Sequence, residues 1–365
     1  MKNFKKKMLA GMLAGIFAFG SFAISETQAA SREEISAVKV SKSGNFKYWN
    51  KNSEVKNKLV SYVKDVTNKN SRNFIPVEDR IAVFDLDGTL VCETAPCYFE
   101  WMMYLQRALY DKNYNAPDAD KEYAKIVESE IRAGHFKTSQ FPKDMDLKQA
   151  QSQFSVFKGM TDAEFDSYVN YFMQTPVEGL SNLKWGEGFY LPMVEVVRFL
   201  QANDFTVFIV SGTDRMILRV LAGDVLNVKS DNIIGSDRVV LAAYQEDVDG
   251  GSYTYKQNDY VIRGGLLQKN LKMNKVSAIE REIGKQPVLA FGNSGGDSSM
   301  LNYTAHGNKY KSMSFMILCD DVERELGSPS KAESCKKLSD QNGWNSVSMR
   351  DDWKTIYGDN VKLTK

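Results

Sequence analysis

Histidine is almost missing from this chain. Its 365 residues hold only His135 and His306, with no HExxH run, so a histidine-rich metal centre is excluded. Neither sign of charge dominates, with 47 Lys and Arg against 46 Asp and Glu, and the basic field that a nucleic-acid backbone needs is lacking. Nucleic acid is therefore not an expected partner. Four cysteines in so long a chain rule out a small disulfide scaffold. Internal repeats and low-complexity tracts are absent. What the chain does have is 43% hydrophobic and 25% charged residues, an ordinary globular balance that can bury a sizeable core. The length allows one large α/β domain with an insertion, or two modest domains. Any chemistry rests on carboxylates, hydroxyls and lysine.

The N-terminus reads as a secretory signal peptide over residues 1–29. Lys2, Lys5, Lys6 and Lys7 form a basic start, Met8 to Ile24 is apolar and uncharged, and Thr27-Gln28-Ala29 is a small-x-small cleavage site. An uncleaved anchor is the competing reading, for which the stretch is marginal in length and carries four Gly or Ser. Cleavage predicts an exported protein, periplasmic or secreted, without stable membrane insertion. It takes four Lys and one Glu away and leaves a net charge of −2. Export permits disulfides. Cys319 and Cys335 have the spacing of a local bridge. Cys92 and Cys97, around Thr94-Ala95-Pro96, suit either a tight bridge or two small buried thiols. Pairing and oligomeric state are not legible.

Four short runs without alternation, Ile81 to Phe84, Thr206 to Val210, Val288 to Phe291 and Ser314 to Leu318, have the character of strands buried on both faces. Helical patterns lie between them, at Met193 to Leu200, Met216 to Leu221 and Val276 to Ile283. This alternation predicts an α/β fold with a parallel, Rossmann-like sheet, whose ligands bind at the carboxyl ends of the strands. Three of those ends are unusually polar: Asp85-Leu86-Asp87-Gly88-Thr89, Ser211-Gly212-Thr213-Asp214 and Gly292-Asn293-Ser294-Gly295-Gly296-Asp297. Asp85 and Asp87 project to one side and repel each other unless a cation lies between them. Oxygen-only ligands of this kind favour Mg²⁺.

In their order, these segments and a lysine before the last site strand resemble the four motifs of the haloacid dehalogenase (HAD) superfamily. The closer likeness is to exported, phosphoserine-phosphatase-like members, through the GNSxGD segment, Asp320-Asp321-Val322-Glu323-Arg324 and Met349-Arg350-Asp351-Asp352-Trp353. The resemblance implies a Mg²⁺-dependent phosphomonoester hydrolase acting on a small phosphorylated metabolite. Asp85 would be the nucleophile that forms an aspartyl-phosphate, and Asp87 the general acid and base. Ser211 and Gly212 would hold phosphate oxygens, and Lys275 would neutralise developing charge. Lys269 and Lys272 are competitors for that role, otherwise read as solvated surface. The metal set would be Asp85, Asp87, Asn293 and Asp297. Asn293 stands where many relatives have Asp, which leaves open whether it or Asp297 is the direct ligand. Alternatives are a phosphotransferase or phosphomutase of the same fold, or a phosphate-binding protein without turnover.

Residues 30–91 and 205–365 are assigned to the core domain. Residues 92–204 are assigned to a mostly helical cap insertion that returns to the core near its end. Aromatic stripes from Tyr98 to Leu109 and Phe154 to Phe172 would fill the cap, and Glu93 and Tyr98 would wall a pocket suited to a cationic leaving group such as choline or an amine. Val239 to Ala243, Ser252 to Tyr255 and Asp259 to Ile262, around Asp249-Gly250-Gly251, predict a small β-flap. Val55 to Val66 predicts a helix packed on the core.

Overall fold

The computed structural model describes residues 29–364 apart from 139, 140 and 143, so the expected signal peptide lies, but for Ala29, outside the described residues. Among the described residues no helix is long and apolar enough to cross a membrane. Helix α1 (Glu54–Thr67), capped by Ser53, buries Val55, Leu59, Tyr62, Val63 and Val66. The chain then enters the fully buried strand β1 (Ile81–Phe84). Four helices follow as an insertion: α2 (Phe99–Leu105), α3 (Asp118–Arg132), α4 (Met145–Val156) and α5 (Asp162–Met173). The aromatic stretch Phe154 to Phe172 is thus broken in two, because Thr161 and Glu164 form a capping box that starts α5 afresh. Helix α6 (Leu191–Ala202) leads into β2 (Thr206–Asp214) and packs against it.

The principal elements after β2 are β3 (Ile233–Ala242), β4 (Val261–Gln268), α7 (Met273–Glu282), β5 (Leu289–Gly292), α8 (Ser298–Ala305), β6 (Met313–Leu318), α9 (Pro329–Asn342) and β7 (Asn345–Ser348), and a separate two-stranded sheet pairs Leu180–Ser181 with Lys362–Leu363. The seven strands form one sheet in the order β4-β3-β2-β1-β5-β6-β7, parallel except for the β3–β4 pair. From β1 the chain winds to one side and then returns to build the other, so the strand order reverses between β1 and β5. That is where an open α/β sheet leaves a crevice. Phe84, Phe291 and Phe315 sit opposite one another in register, with ring centroids 4.3 and 4.7 Å apart and planes within 8° of parallel. This stack ties β1, β5 and β6 together one residue before Asp85 and two before Asn293.

The flap differs from its expected form. Its two strands are the far halves of β3 and β4, which pair from Asp237 with Gln268 to Ala242 with Val261 and so extend the main sheet. Ser252–Tyr255 is not a strand. The Asp259 carboxylate there accepts bonds from the Tyr253 hydroxyl and the Lys256 amide, and Asp249 accepts one from the Gly251 amide. These local bonds take the place of ladder pairing. No disulfide forms either: all four cysteines are free and buried, with Cys319 donating to the Ser328 carbonyl and Cys335 to that of Asn293. The Asp320–Arg324 segment has a structural task. Asp321 holds the Arg324 guanidinium at 2.6 Å, and Arg324 donates to the carbonyls of Met349, Trp353 and Lys354, which ties the C-terminal segment to the core.

Candidate active site

Each polar strand end is shaped by bonds that the strand itself cannot make. After β1 the Asp85 amide still donates to Phe291. The chain then turns, with Leu90 N–H bonded to the Leu86 carbonyl at 2.7 Å and Gly88 N–H to that of Val91 at 2.7 Å. Gly88 has φ +76°, a conformation glycine adopts without strain. The turn leaves the Asp85 and Asp87 carboxylates buried on the same side. At the end of β2 the register against β3 shifts between Val210 and Asp214. Ser211, Gly212 and Thr213 thereby leave the regular ladder within the last part of β2, and this stretch is held by Asn270 on the Ser211 carbonyl and Ser236 on that of Gly212. Thr213 donates its hydroxyl to Asp87 at 2.7 Å.

Lys275 lies near the start of α7 and is 1% exposed, with Nζ 2.6 Å from Asp85 and 2.7 Å from Asp297. The other oxygen of Asp297 accepts from the amides of Asn293 and Ser294 and from the Ser294 hydroxyl, each at 3.1 Å. Asp297 therefore orders the loop after β5 and fixes the lysine. A cavity of about 170 Å³ brings Asp85, Asp87, Ser211, Gly212, Lys275, Asn293 and Asp297 together.

The walls differ from expectation in two respects. Glu93 does not line the cavity: it is buried behind Gly88 and paired with Lys331 at 2.5 Å. Tyr98 does line it, together with Trp101 and Asp146 from the insertion. Lys269 and Lys272, the competitors of Lys275 that are otherwise read as solvated surface, also line it. Sequence reasoning missed Glu100 as well. Its carboxylate accepts from the Asp214 amide at 2.8 Å and from Gln153 at 2.9 Å, and lies 3.4 Å from Lys269, so it staples α2 to the end of β2. Opposite it the buried Arg263 pairs with Asp214 and stacks 3.6 Å from the Phe165 ring centroid. An acidic residue among the aromatics of α2, beside Tyr98 and Trp101, is the one signal that pointed to it.

Five carboxylates and three lysines line this small space, and burial sets their proton affinities. Asp87 is pushed up to about 8, first by burial and then by Asp85, against the Thr213 hydrogen bond. Burial and then Asp297 raise Asp85, while Lys275 pulls it down. Burial works against the Lys275 ammonium, but Asp297 and Asp85 outweigh it and hold the lysine above its ordinary value. The site therefore offers two carboxyls whose proton affinities are raised toward neutrality, the lower of them, Asp85, held against an ammonium, with hydroxyl and amide donors beside them. Among the described residues no three acidic, His or Cys side chains group as a metal cluster. A cation here has to draw on amide and carbonyl oxygens as well as carboxylate.

Several solved structures align with the chain at low identity. One is a protein of unknown function from Bordetella pertussis Tohama I, 15% identical, aligned over 73% of this chain and 97% of its own with a TM-score of 0.46. Another is a cytosolic 5'-nucleotidase IIIB bound to cytidine, at 14% identity over 81% and 86% of the two chains, TM-score 0.44. A third is a phosphoserine phosphohydrolase-like protein from Francisella tularensis, at 16% over 74% and 95%, TM-score 0.38. Likeness this distant carries no argument about substrate. No curated protein matches the chain. A family model matches residues 82–302, more than half of the chain, including the three polar strand ends and Lys275, and by that match the protein belongs to the haloacid dehalogenase-like hydrolase family.

Proposed function

We propose that this protein hydrolyses a small phosphomonoester, with Mg²⁺, through an aspartyl-phosphate on Asp85. The observation that carries the reading is the pairing of two unlike carboxyls in one cavity. Asp85 is held by the Lys275 ammonium at 2.6 Å, which favours its ionised form, while Asp87, two residues on, accepts only from the neutral Thr213 hydroxyl and is the higher of the two, at about 8 against about 7. Asp85 attacks phosphorus, and the bond to the leaving oxygen breaks as the new one forms. Asp87 gives its proton to the leaving alkoxide, then takes one from the water that attacks the aspartyl-phosphate and frees inorganic phosphate. The Ser211 hydroxyl and the Gly212 N–H donate to phosphoryl oxygens, and the Lys275 ammonium balances their charge.

The donor chemistry fits Mg²⁺. Asp85, Asp87 and Asn293 line the same cavity, an oxygen-donor set with crowded carboxyl groups that suits a hard divalent cation. Asp85, the Asp87 backbone carbonyl and Asn293 would hold the ion, with Asp297 kept for Lys275 and the loop. When bound, the ion supplies positive charge between crowded anions.

The cavity volume favours a compact leaving group. A panel of phosphoserine, phosphorylcholine, nucleotides and sugar phosphates, assayed with and without Mg²⁺, is expected to release phosphate from a small member only when the metal is added. Transfer of the phosphoryl group to an added alcohol without net release would mean a phosphotransferase. Binding of phosphate with no turnover on any member would mean a binding protein.

A further inference from the structure

We propose that Glu93 and Lys331 form a positioning pair that decides which end of the Asn293 side chain faces Asp85 and Asp87; this rests on reading Asn293 as a Mg²⁺ ligand. An asparagine amide carries an acceptor oxygen and a donor nitrogen at nearly equal reach, and only the oxygen serves a hard cation. Some other group must select the orientation. The Asn293 Nδ2 is buried without a hydrogen-bond partner, and so is the Glu93 Oε2. Both side chains press on the open side of Gly88: a Cβ there would lie 2.0 Å from Asn293 Nδ2 and 2.4 Å from the Glu93 carboxyl carbon.

An unsatisfied donor and a carboxylate with one unsatisfied oxygen thus lie on the same side of one glycine, the oxygen nearest that glycine, Oε1, being the one that Lys331 takes. A carboxylate only accepts, so it pairs with the NH₂ end alone, directly after a small side-chain rotation or through one water. The amide oxygen is then left to the cavity.

The surroundings of Glu93 support this role. At 1% exposure its charge needs a partner, and Lys331 supplies one at 2.5 Å. Lys331 lies in the first turn of α9, and one turn on Cys335 donates its thiol to the Asn293 carbonyl at 3.4 Å. One helix face therefore supports Asn293 through its main chain and, by way of Glu93, through its side chain. Neither Glu93 nor Lys331 lines the cavity, so the pair acts through Asn293 and not on substrate.

Calorimetric titration of Mg²⁺ into the metal-free full chain tests the pair. Glu93→Leu with Lys331→Met removes both charges together and deletes the acceptor, and the Mg²⁺ affinity is expected to fall about 10–100-fold. Glu93→Gln with Lys331→Met keeps an acceptor oxygen and is expected to stay nearer to wild type. Asn293→Ala is the reference. Wild-type affinity in the Leu/Met protein, with Asn293→Ala weakened, overturns the positioning pair and leaves the ligand assignment standing. Wild-type affinity in Asn293→Ala overturns the assignment itself. Should the Leu/Met protein not fold, the Asn293 side-chain NH₂ resonances, identified by their loss in Asn293→Asp, decide the matter. They are expected to shift in the Gln/Met protein, and unmoved resonances overturn the pair.

Discussion

Asp85→Asn is expected to lower phosphatase turnover at least about a thousandfold, equivalent to about 4 kcal/mol of barrier, and to leave the fold intact. The amide is almost the shape of the carboxylate but has no charged oxygen with which to attack phosphorus. Nor does the change strand a buried charge, since Lys275 keeps its bond to Asp297 at 2.7 Å. Burial opposes ionisation of Asp85 in the native protein, so its replacement by a neutral amide is expected to hold or raise the melting temperature. Activity and stability should therefore part company in this variant. Steady-state turnover on the best panel substrate, with mass spectrometry to exclude deamidation back to Asp, measures the first, and a thermal melt the second. Turnover above a few per cent of wild type would remove Asp85 from the role of nucleophile.

Lys275→Met should have the opposite profile, losing both activity and stability. Among the described residues the lysine is the one cation within 3 Å of Asp85 and Asp297, and all three side chains are buried. Taking away the cation of a buried ionic group costs about 3–5 kcal/mol, because the remaining charges are left without compensation. For a chain of this size that corresponds to a fall in melting temperature on the order of 10 °C.

The loss should depend on pH in a definite direction. Without Lys275, Asp85 loses the group that pulls its proton affinity down and keeps the burial and the Asp297 charge that push it up. Its folded value then lies further above the unfolded value of about 4, so the folded variant holds more protons than the unfolded chain above that pH. Its stability relative to wild type should fall as pH rises and recover as pH is lowered. Paired melts of variant and wild type between pH 5 and 8, in the presence of a chelator, measure this. A deficit that is constant across the range would show that Lys275 contributes through packing and not through its charge.

The location of the polar strand ends was legible in the sequence because their signal is local. Apolar runs without alternation can hardly be anything but strands buried on both faces, and the residues that follow them leave the sheet at the same edge. Asp85, Ser211 and Asn293 could thus be placed before any coordinates. Lys275 could be placed too, since it stands at the start of a helical pattern in a fixed order of segments. The helix over Val55 to Val66 follows from periodicity in the same way.

What tertiary structure alone decided is the partner of each of these groups, because partners come from far along the chain. Thr213 reaches Asp87 across 126 residues, Lys269 reaches Glu100 across 169, and Lys331 reaches Glu93 across 238. No pattern within a helix or strand encodes such pairings. They follow from how the sheet order and the insertion fold one segment over another. That is why Glu93, placed by sequence at the pocket mouth, belongs behind Gly88, and why Lys269 and Lys272 face the cavity. It is also why the four thiols, with spacings open to bridges, are each spent as small buried side chains. The order of apolar runs and polar ends determines where this protein's chemistry sits, because backbone geometry is set within a few residues. Which carboxyl has the higher proton affinity and which is held against an ammonium depends on burial and on charges brought in from elsewhere, and only the folded chain supplies those.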